Sequence, residues 1–261
     1  MEVVILKDAK QIGTVAADAI GALLRRKPAA VLGLATGSSP MAIYDELAAR
    51  FDAGLISFAQ ARGFTLDEYV GLPADHPERY WNVINTVFAS RVDFVDSAVR
   101  GPDGLAADIP ASCEAYEAAI RQAGGIDIQI LGIGTDGHVA FNEPGSSLAS
   151  RTRIKTLTKQ TRLDNARFFG GDLEAVPTHC LTQGLATIMA ARHLILVATG
   201  HSKAEAVHHL VEGALSALWP ATALQQHPHV TVLLDEHAAG RLQLIDYYRE
   251  TYRCKPEWQS V

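Results

Sequence analysis

The sequence predicts an α/β fold: an open, largely parallel sheet with helices on both faces. Two observations predict it. Short apolar runs without polar alternation, such as residues 30–35 and 193–199, recur along the chain, which is the pattern of strands buried on both faces. The segments between them carry helical spacing and helix-start residues, and such alternation favours parallel strands joined by crossover helices. No internal repeat, low-complexity tract or interdomain linker interrupts it. Residues 1–261 are therefore read as one three-layer, Rossmann-like domain.

Taken in order, residues 3–6 read as a strand and 16–26 as a helix. Residues 30–35 form a buried strand ending in Thr36-Gly37-Ser38-Ser39-Pro40. Ser39 suits an N-cap and Pro40 the first helical position, so a helix is expected to about residue 51. Residues 63–66 are a short strand ending at Asp67, and helices are expected at 78–91 and 112–123. The apolar run 126–131 is a buried strand, followed by a strand at 152–157 and a helix at 161–169. Residues 193–199 and 230–234 are further buried strands. Between them a helix begins near Lys203, where Ser202 and Glu205 have capping-box spacing.

Composition narrows the function classes. The chain is 48% hydrophobic and 20% charged, as globular proteins are. A formal net charge of −6 argues against a general nucleic-acid surface but leaves room for a local basic pocket. Cys113, Cys180 and Cys254 are widely spaced and form no CxxC pair, so neither a zinc ribbon nor a disulfide scaffold is indicated. Lys7 and Asp8 break the apolar start too early for a signal peptide, and no stretch reaches the roughly 18 apolar residues of a membrane span. A cytoplasmic protein without membrane contact is expected.

The most informative stretch is GIGTDGHVAFNEPG, residues 132–145, which follows the strand at 126–131. Gly132, Gly134 and Gly137 have the spacing of a dinucleotide-binding loop. The helix that this loop requires at its third glycine is interrupted by Asn142, Glu143, Pro144 and Gly145, and no acidic residue stands about 20 positions on. The glycines are read instead as allowing tight turns and close approach to a small ligand. Asp136, His138 and Glu143 place three proton-handling side chains at a strand's carboxyl end, where α/β sheets collect ligands. They suit a zinc site by type, yet no second tight histidine motif accompanies them, and a metal-free imidazole relay is preferred.

Two further segments suit an anion. Thr36, Gly37, Ser38 and Ser39 lie between a strand and a helix start, where free N–H groups and the helix dipole favour phosphate; taken alone, an ordinary capped helix explains them as well. Lys203 stands on a first helical turn, a place where a cation opposes the dipole and an anion would offset the cost. Asp67 and Glu68 close the strand at 63–66; side chains alternate along a strand, so only one of the two faces a given pocket.

Together, LGLATGSSPMAIYDEL, FTLDEYVGLPADHPERYW, ILGIGTDGHVAFNEPGSSLASRTRIKTL, NARFF, VPTHCLTQG and ATGHSKAEAV resemble the glucosamine-6-phosphate deaminases, of the glucosamine/galactosamine-6-phosphate isomerase family. The resemblance spans about residues 31–235. It implies conversion of glucosamine 6-phosphate and water to fructose 6-phosphate and ammonia by an enzyme of hydrolase and isomerase type, with no cofactor and no metal. It implies Asp67 as the base moving a proton from C2 to C1, and His138, oriented by Asp136 and Glu143, as the group that opens the sugar ring. Phosphate would be held by Thr36, Gly37, Ser38, Ser39, Arg167 and Lys203. Some relatives are hexamers activated by N-acetylglucosamine 6-phosphate, and the residues matching that second site are Ser146, Ser147, Arg153 and Lys155. A homo-oligomer is thus implied, with the hexamer of those relatives as one form it could take. The family usually has Asn where Thr65 stands. A 6-phosphogluconolactonase-like hydrolase and a non-catalytic sugar-phosphate sensor are the rival readings.

Overall fold

The computed structural model describes every residue except Glu257 and Ser260. Its frame is a seven-stranded, wholly parallel sheet made of β1 (Glu2–Leu6), β2 (Val31–Leu34), β3 (Arg62–Thr65), β5 (Val99–Arg100), β6 (Ile128–Leu131), β9 (His193–Ala198) and β10 (Val230–Asp235). The spatial order is β1-β10-β9-β6-β2-β3-β5. Every residue of β2, β6 and β9 is buried, so both faces of the sheet's centre are covered, as the unbroken apolar runs predict. The α/β class and open parallel sheet expected from the sequence are observed.

Helices α1 (Ala9–Arg26), α2 (Met41–Asp52), α3 (Tyr80–Val87), α4 (Ile109–Gln122), α5 (Lys159–Ala166), α6 (Leu185–Ile188), α7 (Ala204–Glu212) and α8 (Ile245–Arg253) connect or follow the strands. Two begin earlier than expected because an aspartate caps them: Asp8 accepts from the Gln11 N–H and Asp108 from the Ala111 N–H. The helices read at 78–91 and 161–169 are shorter and end in 3₁₀ turns, Ala89–Arg91 and Arg167–Phe169.

A second, three-stranded antiparallel sheet orders β4 (Asp67–Tyr69), β8 (His179–Thr182) and β7 (Arg153–Thr156) as β4-β8-β7. The sequence reading contained β7 but neither β4 nor β8. The chain passes from one sheet to the other at Leu66, whose N–H donates to Leu34 and whose carbonyl accepts from Gln183. A small apolar cluster, Tyr69, Leu72, Phe141, Leu157, Ala166, Val176 and Cys180, serves this sheet separately from the main core.

The order places a topological switch between β2 and β6. From β2 the chain builds outward to β3 and β5, then returns to β6 on the other side and builds on to β9 and β10. In open α/β sheets such a switch opens a crevice at the strands' carboxyl ends. The loops leaving β2 and β6 are the two glycine-bearing loops singled out from the sequence.

Candidate active site

A cleft of about 1410 Å³ lies at that switch point. It is lined by Thr36–Ser39 after β2, Asp67 on β4, Gly132–Thr135 and His138 after β6, Arg167 after α5, and Lys203 before α7. Residues far apart in sequence thus converge where the sheet's topology makes room for them.

The phosphate-type residues form one pole. Gly37 has φ of 92°, a left-handed conformation that glycine adopts without strain. The expected Ser39 cap is not formed: Pro40 is the N-cap, α2 begins at Met41, and no side chain caps it. The Ser202–Glu205 capping box is also absent. A 3₁₀ turn, His201–Lys203, precedes α7, and Glu205 pairs with His209 and Arg241 instead. These two departures fall in the same cleft. Asp8, Asp108 and Thr158 cap α1, α4 and α5. Glu68, Ser150 and Glu212 accept N–H groups at the starts of α3, α6 and α8. Among the described residues, no side chain caps the first residue of α2 or α7, whose starts face the cleft; ahead of α7, Asp235 takes the Gly200 N–H, and the carbonyls of Gly200 and His201 take those of Lys203 and Ala204. Open N–H groups and dipole ends are what an anion binds. Burial, and next to it the Arg167 cation, push the Lys203 ammonium below its ordinary value, while Asp164 and Asp136 pull the other way. An anion between the two cations would relieve that repulsion.

The proton-handling residues form the other pole. Asp67 is 6% exposed, lines the cleft, and its carboxylate has no hydrogen-bond donor among the described residues. Burial, reinforced by the Glu68 charge, holds its carboxyl well above the usual carboxylate range. Glu68 points elsewhere and accepts from the N–H groups of Tyr69, Tyr80 and Trp81, fixing the start of α3. Strand alternation therefore separates the pair as the sequence suggested. Thr65, in the place where an Asn was expected by resemblance, donates to the Asp67 carbonyl at 3.4 Å, not to its carboxylate.

His138 Nδ1 lies 2.7 Å from Asp136 Oδ1, and its backbone N–H donates to the same oxygen at 3.2 Å. Burial raises the Asp136 carboxyl, but the hydrogen bonds and charge of His138 outweigh it and leave the group low. The Gly132-Gly134-Gly137 spacing now has a physical reason other than dinucleotide binding. The imidazole rests on Gly134, where an added Cβ would stand 2.2 Å from the ring, and Gly137 turns the chain at φ of 80°. Glu143 is not brought onto His138. Its carboxylate accepts from the Thr158 N–H at 3.2 Å and the Thr161 hydroxyl at 2.5 Å, which ties the loop to the start of α5.

Of the residues matching a second anion site, Arg153 and Lys155 lie on edge strand β7 and Ser146 and Ser147 in the loop before it. Arg153 donates to Asn142, the neighbour of Glu143, at 2.9 Å. The Ser146 hydroxyl is buried without a partner among the described residues, whereas Ser147 is exposed and accepts from the Ala149 N–H. Sequence reasoning missed Tyr80, Phe141 and Asn165 as cleft residues. Tyr69 links two of them, with its hydroxyl bonded to those of Tyr80 and to the Asn165 amide. Nothing in their local pattern marks them, because strands β4 and β8 bring them in.

Residues 7–233 match the family described as glucosamine-6-phosphate isomerases/6-phosphogluconolactonase. A glucosamine-6-phosphate deaminase of Mycolicibacterium smegmatis is 79% identical over 261 residues, covering 100% of both chains. One of Beutenbergia cavernae is 71% identical with the same coverage. A solved structure of a monomeric glucosamine-6-phosphate deaminase superposes with a TM-score of 0.90 at 41% identity, over 92% of this chain and 100% of that one. The 6-phosphogluconolactonase of Trypanosoma cruzi, at 22% identity and a TM-score of 0.74 over 93% of this chain and 97% of its own, shares the fold. The names of the deaminase relatives support deaminase and isomerase, and the hydrolase label attached by the sequence reading finds no support in them. The chain belongs to the glucosamine-6-phosphate isomerase/6-phosphogluconolactonase family.

Proposed function

We propose that this chain converts glucosamine 6-phosphate and water to fructose 6-phosphate and ammonia, with residues 1–261 acting as one catalytic unit. The observation that carries the reading is the buried, unpartnered Asp67 carboxylate facing the same cleft as two uncapped helix starts and the Asp136–His138 pair. Thr36, Gly37, Ser38, Ser39, Arg167 and Lys203 hold the phosphate, and this fixes the sugar between the two poles. His138 carries a proton between the ring oxygen O5 and O1, and the ring opens; Asp136 holds the imidazole in place. Asp67 takes the C2 proton and returns it to C1. Water then adds at C2 and ammonia leaves, giving the ketose. A carboxyl raised by burial is a stronger base, and the substrate's C2 ammonium offsets the cost of its charged form. Glu143 acts on His138 through the loop backbone and α5, not by direct contact.

All the groups in this scheme are protonic, so activity should survive exhaustive chelation; loss with EDTA and rescue by one divalent ion would count against it. The reading includes a cytoplasmic enzyme that self-associates and binds N-acetylglucosamine 6-phosphate through Ser146, Ser147, Arg153 and Lys155. Light scattering decides the first point, and a mass equal to one chain would align it with the 41% identical monomeric relative. No described helix is long and apolar enough to cross a membrane. The central experiment offers glucosamine 6-phosphate and 6-phosphogluconolactone separately and assays ammonia and acid. Ammonia from the first alone is expected. Acid from the second would favour the lactonase, and neither product would favour a sensor.

A further inference from the structure

We infer that Trp219 is a positioning residue that sets the geometry of the His138 loop, with the segment 217–221 acting as its clamp. The inference rests on the deaminase reading for the role of His138, but its geometry stands apart from that reading. Three contacts carry it. The Gly137 carbonyl accepts from the Ala221 N–H at 2.9 Å. The Gly145 N–H donates to the Ala217 carbonyl at 2.8 Å. The Trp219 ring covers Gly137 so closely that a Cβ there would lie 2.7 Å from ring atom Cε3. One short segment therefore grips the loop on both sides of His138 and Glu143, and packs the base of the Trp219 side chain, from Cα and Cβ to the ring carbon Cε3, against the glycine between Asp136 and His138.

The clamp is itself braced. The Ser216 N–H donates to the Thr222 hydroxyl at 2.9 Å, and the Trp219 carbonyl accepts from both the Thr222 N–H and its hydroxyl. Thr222 is fully buried. The Trp219 ring stacks on His209 of α7, with ring centroids 3.9 Å apart and 18° between planes. Trp219 is half-buried and packs against the margin of the main core, from which it reaches the loop. The indole fills the space between α7 and the loop.

The consequence for chemistry follows from the covalent chain. Asp136 and His138 are joined through Gly137, so the 2.7 Å contact between their side chains depends on how that residue is held. Gly137 has φ of 80° and no side chain of its own to fix it. The indole supplies from outside the restraint that a side chain would give. Catalytic groups displaced by about 1 Å typically lose about 100-fold in rate.

The test compares Trp219→Ala, Trp219→Phe and the native enzyme by kinetics and by a ¹³C titration of the Asp136 carboxyl. Trp219→Ala is expected to lower kcat by roughly 10- to 100-fold with KM changed less than about threefold. It should also move the Asp136 midpoint up toward the ordinary carboxylate range, because the His138 contact loosens. Trp219→Phe, which keeps a flat ring, should restore both. A fall in Tm with kcat per folded molecule and the Asp136 midpoint unchanged would overturn the inference. If Trp219→Ala does not fold, Trp219→Leu keeps the apolar bulk without the flat ring and is judged by the same two outcomes. If the native chain releases no ammonia, the deaminase reading fails, while the titration still decides whether Trp219 sets the Asp136–His138 geometry.

Discussion

The two ends of the large sheet use similar residues and treat them in opposite ways. At the amino end, the buried Asp127 is fully engaged: its carboxylate accepts from Lys27, Arg192 and the Val31 N–H, and its own N–H donates back to Val31. At the carboxyl end, Asp67 is equally buried and, among the described residues, its carboxylate has no donor, two helix starts have no side-chain cap, and Arg167 and Lys203 repel each other. Charge that is satisfied internally holds the fold together. Charge left unsatisfied in a cleft outlines the ligand that would satisfy it.

The largest effect that tests this contrast is at Asp67. Asp67→Asn should lower turnover, and exchange of the substrate C2 proton, by about 10²–10⁴ or more. Its stability should move the other way. An unfolded aspartate releases its proton near pH ~3.9, whereas the native carboxyl keeps its proton well above that. Native stability therefore falls as pH rises from the unfolded value through the native one, and the substitution removes that loss. A higher Tm at pH 7 with lost activity is the expected pair; a near-normal rate would move the base elsewhere, with Glu68 the first alternative.

Smaller effects sharpen the comparison. Arg167→Ala and Lys203→Ala should each weaken substrate binding by about 1.5–3 kcal/mol, the scale of hydrogen bonds to a charged group, with Tm nearly unchanged. Calorimetric titration with unchanged affinity would return either residue to the solvated surface. Asp127→Ala should do the reverse. It strands the buried Val31 N–H, costing about 1–3 kcal/mol of stability in denaturant melts, and should leave kcat intact. A catalytic defect there would mean that the two ends are not separable. The smallest expected effect is regulatory: coupling between sites is typically about 1–3 kcal/mol. N-acetylglucosamine 6-phosphate should left-shift substrate saturation, and Arg153→Ala should abolish the shift while sparing basal turnover. Hyperbolic kinetics unmoved by the effector would leave Arg153 as the brace of Asn142 alone.

What was legible in the sequence follows the same division. The central strands of the large sheet, β2, β6 and β9, are buried on both faces, so their apolar runs mark them without knowledge of their neighbours, whereas the two-residue edge strand β5 was not read. The loops after β2 and β6 were legible for the same reason, because they begin where those runs end. Two strands of the small sheet, β4 and β8, were not. β4 is three residues long and carries two acids, and β8 starts with an exposed histidine; only pairing across the sheet, of β4 with β8 and of β8 with β7, makes them strands. Caps misled at the cleft: Ser39 and Ser202 have the right residue type, but among the described residues neither side chain caps the helix beside it. Glu143 was placed in the right loop and with the wrong partners, since Thr158 and Thr161 reach it from beyond β7.

The small cluster beneath the second sheet gives the chain a clock of its own. Cys180 sits in that cluster with no exposed surface, and burial holds its thiol well above the ordinary value. Cys113 is buried on α4, and Cys254 is exposed after α8. A thiol reagent should therefore label Cys254 at once, and should reach Cys180 only as often as β4, β8 and β7 part. Because Asp67 belongs to that same sheet, the labelling rate of Cys180 measures how often the proposed base loses its setting, and slower labelling with a sugar phosphate bound would tell how firmly the occupied cleft holds the sheet closed.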